Sequence, residues 1–236
     1  NFSGTGHQLT VSSTGTAALD GQVLNFGDPN PPTPPDPPTP PVVNWFDTNI
    51  QDAALRTLGH DLYLDGLIDR ADVIALLNNT KDGGAVDGTE LADLRNIAAT
   101  ATLFGSQASL QKLTNYVVNV SAANAKYLGA TLGNLVAGSA DAHLEKLVNK
   151  WFFGLERPVA GGAYREFAGQ LFVNGATYDD IHQGAVGDCY FVMSLAEVAL
   201  RNPTTITNMF VVNGDGTNTV KFYNPSGQAE YITVDS

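Results

Sequence analysis

Asp179-Asp180-Ile181-His182-Gln183-Gly184-Ala185-Val186-Gly187-Asp188-Cys189-Tyr190 holds the only cysteine of a 236-residue chain. The residues that follow are apolar at helical spacing (Phe191, Val192, Leu195, Ala196, Val198, Ala199), and Asn202-Pro203 stops the run. Cys189 is therefore expected in the first turn of a helix, just after a glycine-containing bend. A helix N-terminus presents N–H groups without intrahelical partners and a partial positive charge, a setting that favours a thiolate over a thiol. Gln183, six residues upstream, carries a side-chain N–H. Together with the backbone N–H of Cys189 it would form a two-donor oxyanion hole. The competing reading is a small buried hydrophobe at a helix start, which free cysteine often is. The flanking glycines, which let a substrate approach, and the placement of Gln183 favour a nucleophile.

The neighbouring sequence extends the pattern. Asn174-Gly175-Ala176-Thr177 precedes the stretch, and Pro203 to Ile206 closes the helix. A meander is expected beyond it: Met209 to Val212, a turn at Asn213-Gly214-Asp215-Gly216, Thr217 to Tyr223, a turn at Asn224-Pro225-Ser226-Gly227, then Gln228 to Val234. Asn213 to Gly216 could pass for a calcium loop, but its flanking strands make it a hairpin turn.

Asp180, Ile181, Gln183, Gly184, Gly187, Asp188 and Cys189, with Tyr190 where tryptophan is usual, resemble the calpain family of papain-like cysteine proteases. The resemblance covers roughly residues 148–236, beginning with Asn149-Lys150-Trp151-Phe152-Phe153-Gly154, whose aromatics read bottom-up as core. It implies an α+β fold: a papain-like core in which a helical subdomain bears the nucleophile and an antiparallel sheet begins. It also implies amide hydrolysis of a protein or peptide substrate through an acyl-Cys189 intermediate, with Gln183 in the oxyanion hole. In that family the catalytic His and then Asn lie well downstream of the cysteine. No His occurs after Cys189 here. The chain is thus expected to be a fragment of a calcium-dependent endopeptidase, inactive by itself. His182 is a poor substitute: in an extended segment it and Gln183 point to opposite faces. The resemblance further implies a calcium site on the Asp180 carboxylate and the carbonyls of Val173 and Gly175. Without it, Asp180 reads as an Asp capping a turn.

Upstream, Asp61 to Asp72 resembles an EF-hand loop: Asp61, Asp65, Asp69 and Asp72 fall at positions 1, 5, 9 and 12, with Gly66 at 6 and Ile68 at 8. Tyr63 at position 3 and a short acid at 12 depart from the pattern. Ile68 is expected to pair with a partner loop. A second loop runs from Asn79 to Glu90, with Asn79, Asp87 and Glu90 as ligands and Lys81 at position 3 opposing tight binding. Both loops share the short helix Ala71 to Leu77, as in a compact dockerin-like repeat, and Ca2+ is the implied cofactor. Without calcium, the same residues read as turns with helix N-caps at Asp69 and at Asp87 or Thr89.

The rest of the chain fills in around these signals. Residues 1–27 alternate as β-structure, the tail of a β-rich module. Residues 28–42 are a linker; nine of the fourteen residues from Asp28 to Pro41 are proline, a polyproline II spacer or a ligand for a proline-binding domain. Residues 43–105 form a helical EF-hand-like region that starts with an amphipathic Asp47 to Leu58. Residues 106–147 are a helical connector, within a run 101–156 expected to be helical, with Ser139 as an N-cap and lone His143 solvated. Residues 148–236 carry the protease-like part. A net charge of −12 argues against nucleic acid or anionic lipid as a partner and fits an extracellular or cell-surface setting. A single cysteine excludes an internal disulfide framework, and no apolar run is long enough to span a membrane. Two other classes remain: a calpain-like pseudoprotease, and a calcium-dependent binding or scaffold module acting through the acidic helices.

Overall fold

The computed structural model describes residues 9–11, 17–24, 44–159, 162–165, 169–184 and 186–235. The proline-rich segment lies outside them. The chain divides into two compact units, residues 1–43 and 44–236.

In the first unit three short strands, β1 (Leu9–Val11), β2 (Ala17–Leu19) and β3 (Gln22–Leu24), form an antiparallel sheet in that order. Asp20 and Gly21 connect β2 to β3 with φ of 51° and 80°. Two successive positive φ values make the tight hairpin that matches strand twist.

The second unit begins with α1 (Trp45–Asn49) and α2 (Ala53–Leu62) where one helix over 47–58 was expected. The break has a remote cause. Asp93 is buried on a later helix and accepts the N–H groups of Gln51 and Asp52 at 2.9 and 2.7 Å. Asp52 in turn caps Leu55 N–H at 2.8 Å. These acceptors satisfy donors that an unbroken helix would have used internally. The two helices meet closely at Gly59, where a Cβ would lie 1.9 Å from the Phe46 ring.

Next come α3 (Arg70–Asn79), β4 (Ala85–Val86), α4 (Gly88–Ala99), a 3-10 turn at Ala101–Phe104 and α5 (Ala108–Val118). Residues 119–140 hold no α-helix, only a 3-10 turn at Ala122–Ala125. They hold the small hairpin of β5 (Lys126–Tyr127) and β6 (Ala130–Thr131), then β7 (Ser139–Ala140), which pairs with β4. Gly129, Gly133 and Gly138 adopt positive φ along this stretch. Asn124, fully buried, ties it down by donating to Tyr116 C=O at 2.7 Å and accepting from the Trp151 indole at 2.7 Å. Ser139 is not a cap, because its hydroxyl accepts the Val136 N–H. Helix α6 (Asp141–Trp151) starts after Ala140. His143 is not freely solvated; its Nε2 lies 3.1 Å from the Gly133 carbonyl.

The main core lies among these helices, with Phe46, Leu55, Ile68, Leu76, Phe104 and Leu113 at most 1% exposed. Each such side chain contributes about 1.5–3 kcal/mol by leaving water. The last part of the chain adds α7 (Cys189–Arg201), α8 (Pro203–Thr207) and an antiparallel sheet of β8 (Phe210–Val212), β9 (Thr217–Tyr223) and β10 (Ala229–Asp235), with β9 central. The meander expected from the sequence is present, and Asn213 to Gly216 is its first hairpin turn.

Strand alternation gives this sheet two working faces. Thr217, Thr219 and Thr233 are buried on one side; Thr233 Oγ1 donates to Trp151 C=O at 2.6 Å, and Tyr231 packs on the helical core. Phe210, Val220 and Phe222 occupy the other side, with Phe191 of α7 6.4 Å from Phe222 by ring centroids. A second, small core of Ala176, Ala199 and Ile206 lies with α7 and α8, with Leu195, Val198 and Phe210 packed against it. Helices and small antiparallel sheets therefore share one unit of α+β character, and the described residues of 44–105, 106–147 and 148–235 pack together within it.

Candidate active site

Cys189 is the first residue of α7, and its side chain is exposed. The reading of this residue as a buried small hydrophobe is thereby removed. Asp188 stands at the N-cap position but makes no side-chain bond to the helix; its carbonyl accepts from Phe191 and Val192 N–H at 2.9 and 3.1 Å. The first-turn N–H groups, that of Cys189 included, are left without a side-chain acceptor, which is what an anion-binding helix start requires.

The Asp188 carboxylate is turned the other way. Gln183 Nε2 donates to Asp188 Oδ1 at 2.8 Å and to the Val186 carbonyl at 2.6 Å. The loop before Cys189 thus closes on itself, and Gln183 is held within it. Tyr190 next door is 77% exposed and Phe191 40%. His182 is also exposed, and it lies close enough to Asp180 to help lower that carboxyl.

Asp180 ends a 3-10 turn (Tyr178–Asp180), and its Oδ2 accepts from the Thr177 N–H and hydroxyl, both at 2.8 Å. Those two bonds, backbone first, hold the Asp180 carboxyl below the usual aspartate range. Val173 is exposed, and Asn174 and Gly175 follow with φ of 61° and 96°. A left-handed pair of this kind bends the chain sharply, and Asn and Gly tolerate it best. Val173, Gly175 and Asp180 line one cavity of about 510 Å³ whose apolar wall includes Phe172, Leu195, Phe210 and Phe222. The three residues proposed as one calcium set therefore share a surface.

In the acidic helices, the expected ligands act as caps. Asp69 Oδ1 accepts the Asp72 N–H and Asp72 Oδ2 the Asp69 N–H, both at 2.9 Å, a reciprocal capping box at the start of α3. Asp87 and Glu90 repeat it at α4, with Glu90 Oε2 2.7 Å from Asp87 N. Positions 9 and 12 of an EF-hand loop are also where the exiting helix begins, so the capping box is compatible with that layout. Asp65 Oδ1 accepts the Leu67 N–H at 3.0 Å across the turn made by Gly66 at φ 83°. Asp61 belongs to the last turn of α2, and Asn79 is the last residue of α3. The two loops do not pair with each other as expected. Ile68 N–H bonds to the Leu103 carbonyl at 2.8 Å, and Val86 pairs with Ser139. Among the described residues, no three or more His, Cys, Asp or Glu side chains gather as a metal site. Burial, and then the neighbouring charges of Asp69 and Asp65 at Asp72 and of Asp87, Asp82 and Asp52 at Glu90, push both carboxyls up despite their backbone bonds.

Two residues of consequence were not singled out from the sequence. Asp188 was noted only as part of the motif, although an acid at an N-cap position next to a proposed oxyanion donor signals a choice between capping and holding that donor. Arg70, position 10 of the first loop, reaches 145 residues along the chain to Asp215 in the β8–β9 turn, with Nε 3.0 Å from Oδ2.

Residues 160–235 match the family model of calpain family cysteine proteases. The match takes in Gln183, Cys189, all of α7 and the three-stranded sheet, about a third of the chain. No curated protein and no solved structure was found to match. The calpain-like segment thus contains the helix start, the exposed thiol and the glutamine loop, and protein substrates are what the family suggests.

Proposed function

We propose that this chain supplies the nucleophile-bearing part of a calcium-dependent cysteine endopeptidase. The observation that carries the reading is the exposed Cys189 thiol at the start of α7, inside the segment that matches the calpain family model. In the proposed reaction the Cys189 thiolate attacks the carbonyl carbon of a peptide bond. The oxygen takes the negative charge and is met by the Cys189 N–H and the Gln183 amide. The C–N bond then breaks, the amine leaves with a proton, and water hydrolyses the thioester. The base and its orienting partner, a His and an Asn in the papain-like scheme, are supplied from outside these 236 residues.

Calcium is proposed at Asp180 with the carbonyls of Val173 and Gly175, and at the two acidic loops. At the first place it would order the loop that leads to Gln183 and Cys189. An extracellular or cell-surface setting is proposed from the acidic charge and the acidic loops.

The test is covalent labelling of Cys189 by a peptidyl electrophile, compared with glutathione under the same conditions. The expected result is a rate above that of the free thiol, absent in Cys189→Ser, and turnover of peptide only in the longer parent. A Cys189 that reacts no faster than glutathione, or peptide turnover retained by the Cys189→Ser parent, overturns the nucleophile assignment.

A further inference from the structure

We infer that Asp188 is a positioning residue that keeps the oxyanion donor of Gln183 occupied in the resting protein, so that this amide can meet an oxyanion only when the contact is exchanged. The inference rests on the proposed roles of Cys189 and Gln183. A carboxamide nitrogen has two N–H bonds and no more. Both are taken here, one by the Val186 carbonyl and one by Asp188 Oδ1. The side chain that should meet a developing oxyanion is thus bonded within its own loop.

Asp188 has an alternative partner, reached by turning its backbone from φ −113° and ψ 18° to the extended values a capping residue takes. It stands at the N-cap position, where an Asp normally accepts from the second or third N–H of its helix. Here it makes no such bond. Two arrangements of one carboxylate therefore compete. In the present one it accepts from Gln183, and the α7 start is uncapped. In the other it caps α7, and one Gln183 N–H is released. The exchange swaps one charge-assisted hydrogen bond for another and adds a turn of the Asp188 backbone, and a bound acyl group or an ordering of the loop can tip it. The exposure of Gln183, Gly184 and Cys189 leaves room for the movement.

The test compares two reactions of the same thiol. Acylation by p-nitrophenyl acetate forms a thioester, expels p-nitrophenolate and passes through an oxyanion. Alkylation by iodoacetamide forms a C–S bond, expels iodide and has no oxyanion. At one pH the thiolate fraction cancels in the ratio of the two rate constants, as does the charge of Asp188 acting on that fraction. In Asp188→Ala the ratio should rise roughly tenfold, less than the hundredfold or more of a water-excluded hole because this loop is exposed. Asp188→Asn keeps an acceptor oxygen and should stay near the starting ratio. Gln183→Ala and Gln183→Ala/Asp188→Ala should not differ from each other. In parallel, the Gln183 side-chain amide signals in ¹⁵N-correlated NMR should shift in Asp188→Ala. A ratio and amide signals that both stay unchanged in Asp188→Ala overturn the hold. A rise that persists in the Gln183→Ala background overturns it too, because the effect would not run through Gln183. Amide signals that move while the ratio does not would overturn Gln183 as the donor, and with it the role of the hold, while leaving Cys189 as nucleophile intact.

Discussion

Replacing Arg70 by Ala should loosen the calpain-like sheet from the helices that support it. The guanidinium is 14% exposed as a side chain and meets three acceptors: Asp215 Oδ2 at 3.0 Å, Thr217 Oγ1 at 3.2 Å and the Phe152 carbonyl. It also lies 5.2 Å from the Phe152 ring centroid. Hydrogen bonds to a charged group contribute about 1.5–3 kcal/mol each, and breaking a fully buried pair costs about 3–5 kcal/mol. Asp215 is one-third exposed, so water can replace part of what it loses. The Phe152 carbonyl belongs to a fully buried residue, where replacement is harder. The expected cost of Arg70→Ala is about 2–3 kcal/mol. At this unit size that is about 4–12 °C in midpoint. Asp215→Ala should cost less, because Arg70 keeps the Thr217 and Phe152 oxygens.

Urea unfolding followed by tryptophan fluorescence, with Arg70→Ala, Asp215→Ala and the double variant, measures the pair directly. A coupling of about 1–2 kcal/mol is expected for groups in one network. Hydrogen exchange should localise the effect, with amides of β9 and β10 opening faster and those of α4 and α5 less affected. Acid offers an independent check. Burial alone would raise the Asp215 carboxyl, but the Thr217 hydroxyl, then Arg70 by hydrogen bond and charge, and then the Thr217 N–H hold it below the ordinary range. A depressed acid contributes stability that is present above its unfolded value and lost as pH falls through its folded one. Wild type should therefore lose stability below the usual aspartate range more steeply than Asp215→Asn. Additive single-variant costs, or Arg70→Ala costing under about 0.5 kcal/mol, would refute the claim that this pair joins the two parts.

Further outcomes follow from other positions. Gly154→Ala should cost about 2 kcal/mol or more by urea unfolding, because φ is 65° and a Cβ would stand 2.7 Å from Asp235 N and 2.8 Å from Val234 backbone atoms; a neutral substitution would mean that β10 does not pass there. At Glu90 the raised carboxyl pKa means that stability is greatest below the unfolded value and declines as pH rises through the folded one, so Glu90→Gln should flatten that decline while keeping an acceptor for Asp87 N–H; unchanged pH dependence would count against it. Calcium in place of a chelator should raise the melting temperature, by the equivalent of about 2.7 kcal/mol at a hundred times its dissociation constant. Asp65→Asn and Asp180→Asn tell which region takes the ion, and an identical melt with calcium and with chelator would defeat the calcium proposal.

The readable part of this chain was its local chemistry. Apolar spacing and Asn202-Pro203 placed α7, with Cys189 as its first residue. Strand alternation and two Gly-containing turns placed β8 to β10. Asp69 and Asp87 are N-caps, as one of the two readings of the acidic loops had it. Each of these is decided within a few residues. What the sequence concealed depends on partners far away. The break before α2 comes from Asp93, more than forty residues on. The 3-10 turn and short strands of 119–140 replace an expected α-helix, with Asn124 anchored by Tyr116 and Trp151. The junction of the acidic helices with the sheet turns on Arg70, whose partner no periodicity announces. At the site, the place of Cys189 at a helix start was visible, whereas the bond from Gln183 to Asp188 depends on a loop conformation that spacing does not fix.

The two faces of the sheet give the site its mechanical context. The threonine face is tied to the helices by Arg70 at the β8–β9 turn and by Thr233 at Trp151. The aromatic face carries α7 through a much smaller core, and above that core lies the 510 Å³ cavity. Stability is therefore concentrated away from the nucleophile. Local openings draw on the weakest packing first, so the loop of Gln183 and the start of α7 should move while the threonine face stays fixed. That division suits the proposed protease, whose nucleophile helix would be set in place by a further event such as the proposed calcium at Asp180 or release of Gln183 from Asp188. It also makes the acidic helices a foundation for the sheet. A change in the loop from Asp61 to Asp72 would reach the calpain-like segment through Arg70, which follows the Asp69 cap directly. If so, Arg70→Ala should leave any calcium binding by that loop intact while disconnecting it from hydrogen exchange in β9. Exchange in β9 that still responds to calcium in that variant would show that the coupling runs elsewhere.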